Sequence, residues 1–395
     1  MNRNLSQKHS ASLLDDTKTY QKLTLNYRKN KEQDNTELMD EAASRFRYED
    51  CRNEYWNPEP FSLLYGTPLW DRATPSQRIV LNQLYWVAYF SQIISAEIAT
   101  ILLNQTSAAG LNSMEDFRLV CDTLDLETSQ ERAHIHAFKT VGEEVEAALF
   151  GERLFTYPMR SMFCETMVFS NTDRIREFWR KLQLQAFSLL SSGNAFIGCQ
   201  YFTVRGVRTL NGKIIQHALS QYYLRHPDKD RAPIPSKISY YHFQDESFHF
   251  NSSGIISHDV LHSLRPPTRF ESWVANRALM GCQKDHYNFS IAIKGIFWYD
   301  PALFTTMYKL FRSPVFGMDD QEAKEMIAAC FTKETDALHE SYKIHRTALE
   351  SYKAYLDPIG YVSRENKTMR YMSRSNIAGY LQTNREAFRR FLKTA

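Results

Sequence analysis

One acidic residue in a long apolar segment constrains this chain most. Between Arg78 and Glu115 the only charged residue is Glu97, which lies in the segment QLYWVAYFSQIISAEIATILLNQ. A Thr-Pro pair precedes the segment as a typical helix start, so residues 76–106 are predicted to form one long helix. A carboxylate that is buried on such a helix without a partner costs several kcal/mol. The fold must therefore supply Glu97 with a metal ion, or with a basic side chain from another helix.

Three further metal-binding residue types occur together in the segment YYHFQDESFHF. His242, Glu246 and His249 stand at positions i, i+4 and i+7, so a helix would place them on one face. Imidazoles that converge with a carboxylate suit a first-row transition metal such as iron or manganese. The same residue types also share exposed helix faces, so this spacing alone leaves both interpretations open.

A second Glu-x-x-His pair, Glu131 and His134, occurs in the segment ETSQERAHIHAF. In dimetal four-helix bundles, two helices each supply such a pair and two further helices each supply a lone carboxylate. The chain therefore contains both pairs, together with Glu97 as the first lone carboxylate. The second lone carboxylate is missing, because no acidic residue occurs between Glu177 and Asp228.

The order of these motifs resembles that of a known enzyme family. A lone Glu, an ExxH pair and an HxxxExxH motif resemble the p-aminobenzoate N-oxygenase (AurF-type) family of diiron enzymes, as does the aromatic, Pro-containing segment LYGTPLW before the first helix. The resemblance covers roughly residues 55–255. It implies an all-α fold, with a ferritin-like four-helix bundle core and additional helices. It also implies two iron ions, or manganese or a mixed pair, held by six ligands: Glu97, Glu131, His134, Glu246, His249 and, as the family's additional imidazole, His242.

One position departs from the family pattern. Asn194, in the segment FSLLSSGNAFIGCQYF, stands where related diiron enzymes place the third-helix glutamate. An amide oxygen is a neutral ligand, so its use would weaken binding of a second divalent ion, and Asn194→Glu is expected to tighten it. Gln200, Gln216 and Glu165 are the other candidates for the missing ligand. Asp245 is expected to accept the ring N–H of His134, rather than to bind metal.

The remaining sequence is that of an ordinary helical protein. Further helices are predicted at 114–122, 127–149, 172–205 and 319–356, whereas residues 285–299 fit either a strand or a helix. A net charge of +3 is too close to balance to indicate binding to nucleic acid or to an anionic membrane. Scattered cysteines, no signal peptide and no apolar run of about 18 residues predict a cytoplasmic protein with reduced thiols. We divide the chain into a polar, flexible leader (1–45), a Pro- and aromatic-rich collar (46–75), the metal-binding bundle (76–255) and a mostly helical C-terminal part packed on the bundle (256–395).

These features predict an oxidoreductase that activates O2 to oxidise a small organic substrate. By resemblance, the reaction is N-oxygenation of an amine, and a ferredoxin, a reductase or a small-molecule reductant supplies the electrons. Hydroxylation or desaturation of a C–H substrate is one alternative. The other is a degenerate ferritin-like protein that binds one metal ion or none and serves as a partner or binding subunit. Helical proteins of this class often form homodimers, although the sequence contains no interface signature.

Overall fold

The computed structural model describes residues 12–155, 178–179, 182, 193–198, 201, 215–295, 302–374 and 376–394. In these ranges all regular secondary structure is helical, which confirms the predicted all-α, ferritin-like bundle fold. The helices are α1 (Thr17–Glu32), α2 (Thr36–Arg45), α3 (Tyr48–Cys51), α4 (Pro68–Arg72), α5 (Pro75–Leu111), α6 (Arg118–Phe150), α7 (His217–Arg225), α8 (Ile234–Gly254), α9 (Arg269–Gly295), α10 (Ala302–Arg312), α11 (Asp320–Phe331), α12 (Asp336–Leu356), α13 (Arg364–Lys367) and α14 (Ile377–Phe391).

The N-terminal segment is folded where the structure describes it, contrary to the flexible leader that its polar composition suggested. From residue 17 onward it forms α1 and α2, and the side chain of Asp16 caps α1 by accepting from the backbone N–H of Thr19. Leu23 and Met39 are completely buried. Both helices pack against α6 and α8, so their polar residues include buried amides as well as solvated ones.

Helices α5 and α6 form the most extensive helix pair of the bundle. At the start of α5, Thr74 and Gln77 make a reciprocal capping box, which satisfies two of the otherwise unpaired N-terminal amides. The sequence predicted separate helices at 114–122 and 127–149, but α6 is continuous after a short 3-10 turn at Glu115–Phe117. It ends at Gly151, whose φ of 66° is easily adopted only by glycine.

Helix α8 carries the HxxxExxH motif and crosses the α5–α6 pair. The Trp86 indole N–H on α5 donates to the Pro235 carbonyl at 3.0 Å and to Ser239 Oγ at 2.9 Å, which anchors the start of α8. A π-helical turn, Ile255–Asp259, continues the chain beyond α8. The predicted helix at 172–205 lies mostly outside the described residues.

Among the C-terminal helices, α9 and α12 form the most extensive pair. For residues 285–299 the sequence left strand and helix open. Residues 285–295 are helical and continue α9. The long helix predicted at 319–356 is instead two helices, α11 and α12. Thr335 caps α12 by accepting from the backbone N–H of Leu338, and this new start interrupts the predicted helix.

Helix α5 is the one helix in the described part of the chain that is long and apolar enough to cross a membrane. Its most apolar window is 75% buried within the fold. That burial is what a core helix of a bundle shows, because its apolar side chains already face other helices.

Candidate metal centre

Two groups of carboxylates and imidazoles meet inside the bundle. Within each group, one ligand atom from every residue lies within 4.8 Å of the others. The first group contains Glu97, His134, His242 and Glu246, and the second contains Glu131, Glu246 and His249. The residues come from α5, α6 and α8, and all are buried. Because both groups contain Glu246, the two candidate positions are adjacent.

The first group is built around Glu97. Its Oε1 lies 3.1 Å from Nε2 of His242 and 3.7 Å from Nδ1 of His134. His242 Nε2 also lies 3.9 Å from Oε1 of Glu246, one turn along α8. The i+4 spacing therefore does place His242 and Glu246 on one helix face. His242, which the resemblance implied as an additional imidazole, is thus a member of the first group.

The second group connects directly to the first through Glu131. One carboxylate oxygen of Glu131 lies 3.3 Å from Nδ1 of His249, and the other lies 3.5 Å from Nδ1 of His134. On α8, Glu246 Oε1 lies 2.9 Å from the same His249 nitrogen. Glu131 and Glu246 thus stand between the two groups, which is where a bridging carboxylate of a metal pair would stand.

In two histidines, the ring nitrogen that points away from the carboxylates faces a hydrogen-bond acceptor. His134 Nε2 lies 3.1 Å from Oδ2 of Asp245, and His249 Nε2 lies 2.7 Å from Oε1 of Gln130. Each imidazole donates its Nε2 proton to these oxygens, so Nδ1 is the nitrogen that faces the carboxylates. A metal-binding histidine usually has such an acceptor behind it, because the acceptor fixes the tautomer.

The carboxylates hold both histidines in the protonated form when no metal is bound. Burial alone lowers the pKa of His134, but hydrogen bonds to Asp245, Glu131 and Glu97 outweigh it and raise the pKa well above its ordinary value. Burial likewise lowers the pKa of His249, but Glu246, Glu127 and Glu131 raise it to about 10. A divalent cation would take the place of these protons and offset the same negative charge.

The donor atoms of the first group fit a metal ion. Among the described residues, Glu97 Oε2 is a buried atom without a hydrogen-bond partner. His134 Nδ1 is also buried, with carboxylate oxygens of Glu131 and Glu97 3.5 Å and 3.7 Å away. Buried polar atoms of this kind are costly unless a ligand or ion satisfies them. Oxygen and imidazole nitrogen together are the donor set of iron and manganese. The buried Glu and His groups could therefore hold a metal ion pair.

Aromatic rings from α5 and α6 lie beside the first group. The Phe138 ring lies 4.9 Å and the Phe90 ring 5.8 Å from the His242 ring, centroid to centroid. The Trp86 ring lies 4.5 Å from the Phe90 ring, tilted by 45°, and adds to this aromatic cluster. Such apolar surroundings exclude water and strengthen electrostatic interactions inside the site.

The structure adds three residues that the sequence did not assign to the site. Glu127 is fully buried and accepts a hydrogen bond from Ser252 Oγ. Gln130 Oε1 accepts a hydrogen bond from the Nε2–H of His249. Tyr89 is fully buried near Glu97 and Glu246, and burial is the main reason why its pKa is raised well above the ordinary value. The proximity of two of these residues to the site could have been inferred from the sequence, because Glu127 lies one helical turn before Glu131 and Gln130 directly precedes it.

Asn194 occupies a different environment from the six clustered residues. Its side-chain amide donates to the Leu261 carbonyl at 2.8 Å, and its own carbonyl accepts from the Tyr361 hydroxyl. Leu261 lies beyond the π-helical turn that follows α8. Gln216 is buried and hydrogen-bonded to Tyr89, whereas Gln200 and Glu165 lie outside the described residues. A role for Asn194 as a ligand stays a prediction.

The cavity of 760 Å³ between α4 and α11 is separate from the candidate metal centre. Its lining includes Arg72, Phe316 and Lys333, and it includes none of the six clustered residues. This cavity therefore offers no substrate space next to the carboxylates and imidazoles.

Comparison with known proteins assigns the chain to a family. A family model described as "Acyl halogenase CylC-like" matches residues 18–392. No curated protein and no solved structure matches the chain significantly. This family has a different description from the N-oxygenases that the motifs resemble, so the N-oxygenase assignment stays a prediction. Since the match spans nearly the whole sequence, the chain belongs to the CylC-like acyl halogenase family.

Proposed function

We propose that this protein is a dimetal oxidative enzyme that replaces a C–H bond of an acyl substrate with a carbon–halogen bond. The observation that carries the proposal is the pair of buried Glu/His groups that share Glu246, in a chain of the acyl halogenase family. Glu97, His134 and His242 would hold one metal ion, Glu131 and His249 would hold the other, and Glu246 would contact both. When bound, the metal pair, taken as iron, supplies the capacity to activate O2.

The charge of the six residues supports a halide as a co-substrate. Two divalent ions carry four positive charges, and Glu97, Glu131 and Glu246 supply three negative charges. Counting these three carboxylates alone, one positive charge remains when the histidines are neutral, and one monovalent anion at the metal pair would balance it. Dimetal bundles with four carboxylates have no such excess. The acid-free stretch between Glu177 and Asp228 is thus consistent with halide use.

Electron balance defines what else the reaction needs. Converting R–H and a halide ion to R–X releases two electrons and one proton. Reducing O2 to two water molecules takes up four electrons and four protons. An external donor must therefore supply two electrons, from a ferredoxin, a reductase or a chemical reductant. The protein's own residues bind the ions, exclude water through Phe90 and Phe138, and hold the histidine protons at Asp245 and Gln130.

The test is a reconstitution with defined components. Protein loaded anaerobically with Fe²⁺ is mixed with O2, a chemical reductant, chloride and a panel of fatty acyl thioesters of different lengths. We expect about two iron ions per chain and a chlorinated product that becomes brominated when bromide replaces chloride. An oxygenated product that is independent of halide would instead support an oxygenase. Binding of less than about half an iron ion per chain would support the degenerate, partner-subunit alternative.

The motif order favours a second candidate function. The ExxH and HxxxExxH motifs, including His242, resemble those of enzymes that oxygenate amines. The same loaded protein, given an aromatic amine panel in place of the thioesters, tests that candidate. Formation of hydroxylamine or nitro products without a need for halide would favour N-oxygenation over halogenation.

A further inference from the structure

The end of α1 and the start of α2 supply two asparagines that contact the hydrogen-bond acceptors of His134 and His249. Asn30, near the end of α1, is completely buried and pairs with Gln130, and Gln130 in turn contacts His249. Asn35, the residue before α2, contacts Asp245, which in turn contacts His134. One short chain segment therefore lies behind one histidine of each metal-binding group.

The Asn30–Gln130 contact opposes rotation of the Gln130 amide that faces His249, because rotating Gln130 alone would lose both hydrogen bonds to Asn30. Asn30 Nδ2 donates to Gln130 Oε1 at 3.0 Å, and Gln130 Nε2 donates to Asn30 Oδ1 at 3.0 Å. This reciprocal pair leaves Gln130 Oε1 toward His249 Nε2. If the amide were reversed, its N–H₂ would face the ring, and His249 would carry its proton on Nδ1, the nitrogen needed for metal binding.

Asn35 acts on Asp245 in an equivalent way. Its side-chain N–H and its backbone N–H both donate to Asp245 Oδ1, at 2.8 Å and 3.1 Å. The other carboxylate oxygen, Oδ2, is thereby left to accept from His134 Nε2. Because Oδ1 is held by two donors, the carboxylate cannot rotate away from the histidine without losing both.

Gln130 and Asp245, the acceptors of the two histidines, occupy equivalent positions in the sequence. Gln130 directly precedes Glu131 of one ExxH pair, and Asp245 directly precedes Glu246 of the other. In each case the preceding residue serves the histidine of the opposite helix, α6 for α8 and α8 for α6. The α1–α2 connection adds one asparagine behind each of these two residues.

We propose that Asn30 and Asn35 are positioning residues that present Nδ1 of His249 and Nδ1 of His134 to the metal pair. This inference rests on the proposed dimetal function. It assigns to the N-terminal helices a role in metal affinity, in addition to covering the bundle. Partners behind a metal-binding histidine typically change metal affinity by about 10–100-fold when they are removed.

The experiment compares three asparagines of the same region by anaerobic Co²⁺ titration, followed by ligand-field absorption. Asn30→Ala and Asn35→Ala each remove one of the proposed positioning contacts. Asn26→Ala is the matched control, because Asn26 is also a buried α1 amide that donates to α8, at the Phe248 carbonyl, but it contacts neither Gln130 nor Asp245. Circular dichroism and thermal unfolding report whether each variant folds.

We expect Asn30→Ala and Asn35→Ala each to weaken one Co²⁺-binding step by about tenfold and to alter the ligand-field spectrum. Asn26→Ala should stay within about twofold of wild type and keep its spectrum. Gln130→Leu should also weaken binding, and adding Asn30→Ala to it should have little further effect, because the two residues act in series. A merely structural role would give additive effects.

Equal Co²⁺ affinities and spectra for all three asparagine variants would overturn the inference. The proposed dimetal function would still hold if the wild-type protein binds two Co²⁺ ions. If wild type itself takes up no Co²⁺, the proposed function fails, and the positioning role fails with it. These two failures are distinguishable within one titration series.

Discussion

Two regions of the molecule bury histidines in opposite chemical settings. In the candidate metal centre, His134 and His249 face carboxylates, and their pKa values are raised in the metal-free protein. In the C-terminal helices, His345 on α12 is equally inaccessible, but burial lowers its pKa to about 4. Its Nε2 lies 3.3 Å from the Met372 carbonyl and donates its proton there.

The difference shows what separates a metal centre from an ordinary buried polar network. Around α9 and α13 the polar contacts are between neutral amides: Gln283 donates to Asn366 at 2.7 Å, and Asn366 donates to Asn276 at 2.9 Å. Every donor there can find an acceptor, and no charge needs compensation. In the bundle, three carboxylates converge on the histidines, so protons or metal ions must provide the balance. Burial is common to both regions, and only the bundle concentrates negative charge.

The largest expected effect comes from removing the residue that both groups contain. Glu246→Ala should weaken binding of both metal ions by more than about 100-fold, since even the partners behind a metal-binding residue contribute about 10–100-fold. Metal analysis after anaerobic Fe²⁺ loading measures the loss.

Glu146→Ala is the matched control for this variant. Glu146 is also a fully buried glutamate, but its carboxylate accepts the Leu154 backbone N–H at 2.8 Å and belongs to neither group. That variant should keep about two metal ions per chain. If Glu246→Ala kept full iron content, the ligand assignment would be wrong.

The second effect is the pH dependence of the two kinds of buried histidine. A raised folded-state pKa stabilises the metal-free protein fully below the unfolded pKa of about 6.5, and this contribution is lost as pH rises toward 10. Metal binding must release the same protons, so metal affinity should increase by about tenfold per pH unit for each proton released. Calorimetric titration with Co²⁺ in buffers of different ionisation enthalpy counts those protons.

His345 should have the opposite sign. Its lowered pKa means that the unfolded chain binds a proton more readily, so its contribution to stability falls as pH drops from about 6.5 toward 4. His345→Gln should remove that acid-side dependence and leave the proton release on Co²⁺ binding unchanged. A change in proton release in this variant would contradict the separation of the two regions.

A third effect tests the neutral network alone. Asn366→Ala should lower the free energy of unfolding by about 1–3 kcal/mol, because it leaves Gln283 and Asn276 with unpaired buried groups. Chemical denaturation measures the loss, and the metal content should not change. Asn384→Ala is the control, since this buried side chain donates only to the Phe331 carbonyl and should cost less. Loss of metal in Asn366→Ala would show that the two regions are coupled.

The six clustered residues were accessible to sequence reasoning because local spacing determines which side chains share a helix face. The i+3 and i+4 intervals in ExxH and HxxxExxH, and the isolation of Glu97 in an apolar helix, needed no knowledge of tertiary contacts. The same local reasoning recognised the start of α5. It failed between α11 and α12, where Thr335 begins a new helix that the charged pattern did not distinguish from a continuation.

The role of the N-terminal helices could not be predicted in this way. Asn30 and Asn35 contact residues about 100 and 210 positions away in the chain, and no local spacing encodes such pairs. Polar composition also does not distinguish a solvated amide from a buried one that pairs with another amide. The leader was therefore interpreted as flexible, although its helices cover the bundle.

The smallest expected effect concerns Asn194, which stands between the two regions. The sequence predicts that Asn194→Glu would add the missing carboxylate and tighten metal binding. In the structure, however, Asn194 contacts Leu261 and Tyr361, and Tyr361 lies close to the amide network because its own carbonyl accepts from Asn276. Because the Asn194 side chain is directed to the Leu261 carbonyl, we expect that a carboxylate at this position would not bind the metal ions. It would lose the donor to the Leu261 carbonyl and place negative charge beside that oxygen.

We therefore expect Asn194→Glu to lower the free energy of unfolding by about 1 kcal/mol and to leave Co²⁺ stoichiometry and affinity within about twofold of wild type. Asn194→Ala, which loses the same hydrogen bond without adding charge, is the control, and the difference between the two variants measures the repulsion. Tighter binding of one ion by Asn194→Glu alone would mean that position 194 faces the metal centre. Asn194 would then take the place of the third-helix ligand. It would belong to the charged network of carboxylates and histidines, and not to the neutral amide network.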